Sequence, residues 1–198
     1  MCGLCGFLNY GKEKIDLHEL TNALTEAAAE RGTDACGIAY CTGNNIAIQK
    51  TGKSAFMTEF KPPEYAKALI GHTRHSTQGS EKNNYNNHPF CGKTGKTKFA
   101  LAHNGVLIND KELRSSNQLP QTKIETDSYI AVQLLEMQDK LNHDTMKQMA
   151  ESVRGSFSFS ILDSNSNLHL IKGDSPLCII HMKKSICQYR NDIMESVN

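Results

Sequence analysis

Strand-like segments in this chain come in runs, with helical segments between the runs, and this block arrangement limits the possible folds more than any other feature. Residues 4–10 are short and apolar and read as a first strand, closed by Gly11. Asp16 and Glu19 then resemble a capping box, and Leu17, Leu20, Leu24, Ala27 and Ala28 recur at helical spacing. The pattern predicts a helix running to about residue 30 and stopping near Gly32. Residues 36–41 and 46–50 read as two strands joined by Thr42-Gly43-Asn44-Asn45, a hairpin signal. Pro62-Pro63 opens a short helical piece, and 68–72 reads as a buried strand. Residues 78–97, with Gly, Asn and Lys throughout, read as one long loop, and loops of that length are more often functional than decorative. Residues 98–103 form a strand that leads into Asn104-Gly105. Thr126 is the expected N-cap of a helix over 127–137, and 142–153 is a second helix. Residues 156–162 alternate, with Phe157, Phe159 and Ile161 on one side; a turn follows at 163–167, and 168–172, 177–182 and 185–188 complete a meander. No repeat or interdomain linker is visible, so residues 1–198 read as a single α+β domain with largely antiparallel sheets.

Composition narrows the function more than the fold. The 198 residues suit one domain, large enough to bury roughly 70% of its unfolded surface. With 22% charged residues and a formal net charge of +1, no broad attraction to nucleic acid or to a membrane surface is expected. Apolar runs are only a few residues long, and no basic segment precedes a hydrophobic one as in a secretory signal. Seven cysteines, an odd number without small-scaffold spacing, favour reduced thiols and a cytoplasmic setting.

Several short segments carry groups suited to chemistry. Cys2 becomes the first residue if Met1 is removed, and one residue then holds both a thiol nucleophile and an α-amine with the pKa of a general base. Asn104-Gly105 offers a side-chain amide and a backbone N–H as oxyanion donors, although the commoner role of such a dipeptide is an ordinary turn. Arg74 leaves a strand where it can hold a carboxylate in a bidentate pair, or simply join a surface ion pair. Asp127 can meet an ammonium or merely complement a helix dipole. Arg31 closes the first helix where it can hold active-site backbone, and Asp34 can cap a turn. Cys2 and Cys5 have CxxC spacing, but no second pair or spaced histidines complete a zinc set, so Cys5 reads as a small buried hydrophobe.

Taken together, these segments resemble the class II, N-terminal-nucleophile glutamine amidotransferase domain. The strings are Met-Cys-Gly-Leu-Cys-Gly at 1–6, Arg-Gly-Thr-Asp-Ala-Cys-Gly at 31–37, Gly-His-Thr-Arg-His-Ser-Thr at 71–77, Asn-His-Pro at 87–89, His-Asn-Gly at 103–105, Glu-Thr-Asp at 125–127 and Arg-Gly-Ser-Phe at 154–157. They look nearest to the glutaminase domain of glucosamine-6-phosphate synthase. The resemblance implies a four-layer αββα sandwich of two antiparallel sheets between helical layers. It implies hydrolysis of the glutamine γ-amide through a Cys2 thioester, with no metal or organic cofactor. By position it makes Asn104 and Gly105 the oxyanion donors, and gives the glutamine α-carboxylate to Arg74 and the α-ammonium to Asp127. Thr77 and His88 fall near the pocket, and Arg31 supports it from behind.

Two positions depart from the synthase type: His75 stands where it usually has Trp, and Gln78 where it usually has His. The C-terminal end is also expected to be short or truncated, with no synthase or isomerase domain. The expected partners are therefore L-glutamine and a separate ammonia-accepting synthase protein or domain. The alternative is a stand-alone amide hydrolase acting on a γ-glutamyl compound without ammonia transfer.

Overall fold

A computed structural model of the chain describes residues 1–11, 15–182 and 186–190; from 182 onward only the backbone path is described. The expected short C-terminal end falls on 191–198, outside the described residues.

Among the described residues the strands form two sheets. The first contains β1 (Gly3–Asn9), β2 (Ala35–Thr42), β3 (Asn45–Thr51), β4 (Ala68–Arg74), β9 (Cys178–Met182) and β10 (Ile186–Arg190), in the order β3-β2-β4-β1-β10-β9. The second contains β5 (Phe90–Thr94), β6 (Thr97–Leu107), β7 (Gly155–Asp163) and β8 (Leu168–Lys172), in sequence order. All their pairings are antiparallel. Helix α1 (Leu17–Ala29) covers the outer face of the first sheet, while α3 (Tyr129–Glu136) and α4 (His143–Ser152) cover the second. The expected αββα sandwich is the architecture observed.

Alternation along each strand explains the layers, because successive side chains leave opposite faces. On β1 and β4, Cys5, Phe7 and Leu69 pack with Leu17, Leu24 and Ala28 of α1. The intervening Leu4, Ala68 and Ile70 face the other way and meet Ala100, Ala102 and Leu162 of the second sheet. On the far side of that sheet, Phe99, Leu101, Phe159 and Ile161 pack under Ile130, Leu134 and Leu135 of α3 and Met146 and Met149 of α4. The two sheets therefore meet across a seam in which alanines alternate with leucine and isoleucine, with a larger apolar layer outside each.

The cap expected of the first helix is observed, and that expected of the 127–137 helix is not. The Asp16 carboxylate accepts the Glu19 N–H at 2.9 Å to start α1. Asn142 and Thr145 form a reciprocal capping box on α4. The expected helix over 127–137 begins only at Tyr129, because the N–H groups of 129–131 bond three residues back and tighten the first turn. Thr126 is therefore not its N-cap.

Four further expectations need correction. Pro62-Pro63 leads into a turn, not a helix. The loop expected over 78–97 ends at Phe90, where β5 begins and pairs with β6. The strand expected to stop at His103 continues to Leu107, so Asn104-Gly105 lies inside β6 and is not a turn. The meander is broken as well, since β9 and β10 leave the second sheet and β10 pairs with β1 of the first. A short helix, α2 (Asp110–Ser116), carries no buried residue and had no apolar pattern to announce it. No helix among the described residues is long and apolar enough to cross a membrane.

Candidate active site

The seam between the sheets changes character along its length. The residues of β4 that face it are Ala68, Ile70, His72 and Arg74, and those of β6 are Ala100, Ala102 and Asn104. Beyond Ile70 and Ala102 every step is polar, yet His72, Arg74 and Asn104 are each no more than 3% exposed. Register adds the thiol at this end. Gly3 pairs with Thr73, so one further step sets Cys2 opposite Arg74.

The turn after α1 holds this junction. Arg31 Nε donates to the Cys2 carbonyl at 3.0 Å. Asp34 donates its N–H to the Arg74 carbonyl at 2.9 Å and accepts the Ser76 N–H at 2.7 Å. A Cβ on Gly32 would fall 2.5 Å from the Arg74 carbonyl carbon, so this glycine is required by close approach. It is not a left-handed cap, since α1 ends at Glu30 in a right-handed conformation.

The Cys2 sulfur receives the His75 N–H at 3.4 Å and lies 3.6 Å from the His75 carbonyl oxygen. Burial pushes the thiol above its ordinary value. The His75 N–H, the terminal positive charge and Arg74 act against that, while Asp127 adds to it. On balance the sulfur holds its proton at neutral pH, and a nucleophile of this kind needs a base. Met1 precedes it, exposed, with its sulfur 3.8 Å from Arg31 Nη2, so the nitrogen of Cys2 is here a peptide amide.

Arg74 forms no carboxylate pair among the described residues, which rules out the simple surface ion pair. Nη1 donates to Asn87 Oδ1 at 2.8 Å, and Nη2 donates to the carbonyls of Gln78 and Gly79 at 2.7 and 2.6 Å. Asp127 is 5% exposed; its Oδ2 accepts the Leu107 N–H at 2.6 Å, which ties it to the end of β6 and not to a helix terminus. Its charge and that of Arg74 both act on Cys2. The Asn104 side-chain amide has no hydrogen bond among the described residues. Gly105 has φ +141°, and a Cβ there would meet the Ser156 carbonyl oxygen at 1.9 Å, so only glycine fits.

Three histidines stand behind these groups. His72 Nε2 must donate to the His103 carbonyl at 3.0 Å, because that oxygen can only accept, and this bond ties the two sheets together. His103 Nδ1 lies 2.7 Å from Ser128 Oγ. His88 is sandwiched between His72 and Phe90, at centroid distances of 4.1 and 4.3 Å, with neither ring nitrogen partnered. Burial drives His72 down to about 3 and His103 to about 4, the latter against the pull of Asp127, and holds His88 well below its ordinary value. All three are neutral near pH 7. His88 thus forms a buried wall of the site and not an open ligand. Thr77 is exposed, its hydroxyl without a hydrogen bond among the described residues.

Sequence reasoning missed Asn87 and Lys50, which shape the surroundings of Arg74, and Ser128, which bonds His103. Asn87 lay in a matched string, so its place had a signal; Lys50 had none. Among the described residues no three His, Cys, Asp or Glu side chains gather so as to hold a metal ion. Cys5 is fully buried under α1 on the opposite face of β1 from Cys2, as a packing residue. The assembled groups are a thiol, an unused amide, a buried cation and a buried carboxylate. Such a set suits acyl transfer from the side-chain amide of an amino acid.

Comparison with known proteins agrees. The chain matches a family model described as a glutamine amidotransferase domain over residues 72–187. It is 31% identical over 192 residues to the glutamine–fructose-6-phosphate aminotransferase (isomerizing) of Staphylococcus aureus strain Mu50, and 31% identical over 188 residues to that of Staphylococcus epidermidis strain RP62A. In each case the match covers 90% of this chain, which spans only 30% of the relative's length. Among solved structures, glutamine phosphoribosylpyrophosphate amidotransferase from B. subtilis shares the fold with a TM-score of 0.69 at 20% identity, over 96% of this chain and 42% of its own. An allosteric regulatory enzyme of purine biosynthesis does so with a TM-score of 0.73 at 21% identity, with the same coverage. The resemblance drawn from the sequence holds, and the chain belongs to the glutamine amidotransferase domain family.

Proposed function

We propose that this chain hydrolyses the γ-amide of L-glutamine to glutamate and ammonia, and that the ammonia passes to a synthase protein or domain. The observation that carries the reading is the position of the Cys2 thiol. It sits at the polar end of the seam, opposite Arg74, close enough for the charges of Arg74 and Asp127 to act on it.

In this reading Met1 is removed and the freed α-amine of Cys2 takes the thiol proton. The sulfur attacks the amide carbon, and the oxyanion is met by the Asn104 side chain and the Gly105 N–H. The amine then delivers its proton to the departing ammonia, leaving a γ-glutamyl thioester. Water cleaves the thioester to glutamate and restores the thiol. Arg74 holds the α-carboxylate and Asp127 the α-ammonium, while Thr77 and His88 border the pocket. No step needs a metal or organic cofactor, and a reduced cytoplasmic setting keeps the thiol available. The synthase partner is inferred from the relatives, which extend well beyond the length of this chain.

Intact mass spectrometry paired with a glutaminase assay tests the proposal. Activity is expected only in molecules lacking Met1. Full activity with Met1 retained would overturn the mechanism, and preference for γ-glutamyl peptides over glutamine would replace ammonia supply with simple amide hydrolysis.

A further inference from the structure

Lys50 lies on β3, opposite Gly37 of β2, and its ammonium forms no ion pair among the described residues. Nζ instead donates to two carbonyls of one loop, that of Asn87 at 2.6 Å and that of Pro89 at 3.2 Å, and sits 5.1 Å above the centre of the Phe90 ring. A desolvated cation without an acid is costly to keep. These contacts show where its hydrogen-bonding capacity goes.

The loop it grips carries Asn87, which is 1% exposed. Asn87 Nδ2 donates to the Glu81 carbonyl at 2.8 Å and to Asn84 Oδ1 at 3.2 Å, which leaves Oδ1 fixed in direction. That oxygen accepts the bond from Arg74 Nη1 at 2.8 Å. The path from Lys50 to the guanidinium thus runs through one residue, whose backbone Lys50 holds and whose side chain aims the arginine.

We propose that Lys50 is a positioning residue for Arg74, acting through Asn87 to set the guanidinium for an α-carboxylate. The inference rests on the reading of Arg74 as the carboxylate clamp. A residue that only maintained the fold would change stability and leave the balance between substrate affinity and turnover alone. A positioning residue for a ground-state contact raises KM and spares kcat.

The ionisation of Lys50 supplies a second handle. Burial lowers it to about 8, with the positive charge of Arg74 pushing the same way and Cys91 acting against both. The groups facing it are Arg74 on β4, Cys91 on β5, and the imidazoles of His72 and His88. The Cys91 thiol is itself raised by burial and both imidazoles are neutral near pH 8, so Lys50 is the group that changes charge in this window. Loss of its proton weakens the grip on the two carbonyls.

The test uses the full chain with Lys50→Met and Lys50→Arg. In Lys50→Met the KM for glutamine is expected to rise about tenfold with kcat within about threefold, and Lys50→Arg is expected to return KM to within about threefold of the parent. The parent KM should climb as pH passes upward through about 8, a climb absent from Lys50→Arg. Titration of Cys2 and of glutamine is common to both proteins and cancels in the comparison. A readout free of activity is the guanidinium NMR signal of Arg74, identified by its loss in Arg74→Lys. It should be resolved in the parent and in Lys50→Arg, and averaged by rotation in Lys50→Met. An unchanged KM and Arg74 signal in Lys50→Met would overturn the proposal. If that variant fails to fold, an identical pH dependence of KM in parent and Lys50→Arg overturns it instead. A parent without glutaminase activity whose Arg74 signal still responds to Lys50 would sink the glutaminase reading and leave the positioning role standing.

Discussion

The two ends of the inter-sheet seam are built on the same strands and differ in nearly everything else. At one end Leu4, Ala68, Ile70, Ala100 and Ala102 pack as apolar residues. Two steps along the same strand faces stand His72, Arg74 and Asn104, equally buried and polar. At the first end the sheets are held by dispersion and the removal of apolar area from water, to which the Cys41 thiol adds a bond to the Asp163 carbonyl at 3.0 Å. At the second they are held by directed bonds, among them that of His72 to the His103 carbonyl, which crosses the gap. The apolar end adds to the stability supplied by the layers under the helices. The polar end keeps groups oriented, and two His88 nitrogens without partners mark where orientation was favoured over satisfaction.

The sharpest way to break this comparison is a pair of substitutions, one at each end. Cys2→Ala is expected to abolish glutaminase activity with stability changed by less than about 1 kcal/mol. Ile70→Ala should cost roughly 2–5 kcal/mol in urea unfolding while activity per folded molecule is retained. Reversal of either result would mean that the ends are not functionally distinct.

Next in size, Asn104→Ala is expected to lower kcat by about 10²–10³-fold with little change in KM. A loss confined to KM would remove Asn104 from the oxyanion site.

Acid comes third. The imidazoles of His72, His88 and His103 have folded pKa values below the unfolded value, so between the two the unfolded chain binds more protons. Stability is therefore whole above about pH 6.5 and falls as pH drops, by up to about 1.4 kcal/mol per pH unit for each imidazole. The fall continues toward about 4 for His103 and about 3 for His72. Urea midpoints between pH 7.5 and 4.5 measure it. His88→Phe, which keeps the stack between His72 and Phe90, should flatten the slope by one group's share; an unchanged slope would show that the polar end does not set acid sensitivity.

The smallest effect is expected of Thr77→Ala. Its side chain is exposed and makes no hydrogen bond among the described residues, so stability should move by less than about 0.5 kcal/mol and KM by a few-fold. A loss of stability would mean that the 75–79 segment is held more firmly than its exposure suggests.

The apolar end was readable from the sequence because period-2 alternation and helical spacing are local signals. Phe157, Phe159 and Ile161 announced their face without any partner in view. The polar end was readable only in part. Cys2, Arg74, Asn104 and Asp127 stood out by residue type, yet Asn104-Gly105 read as a turn because a positive φ inside a strand has no local signature. Strand β5, Phe-Cys-Gly-Lys-Thr, passed for loop since its order comes from the pairing with β6. Asn87 lay in a matched string, but the joint role of Lys50 and Asn87 was out of reach for a deeper reason. Their role depends on a lysine and a loop 37 residues apart meeting behind an arginine.

The pairing of β1 also bears on how the chain is made. Cys2 leads into β1, which lies between β4 and β10. One edge of this strand is complete once β4 exists, but the other waits for residues 186–190. At about 5–20 residues per second, a ribosome needs on the order of ten to forty seconds to travel from Cys2 to Arg190. During that interval β1 is paired along one edge, yet β10 when it comes reaches only Cys5–Asn9 and leaves Met1 exposed. Removal of Met1, on which the proposed chemistry depends, is therefore not tied to completion of the sheet, because the amino terminus stays accessible after the last strand has joined.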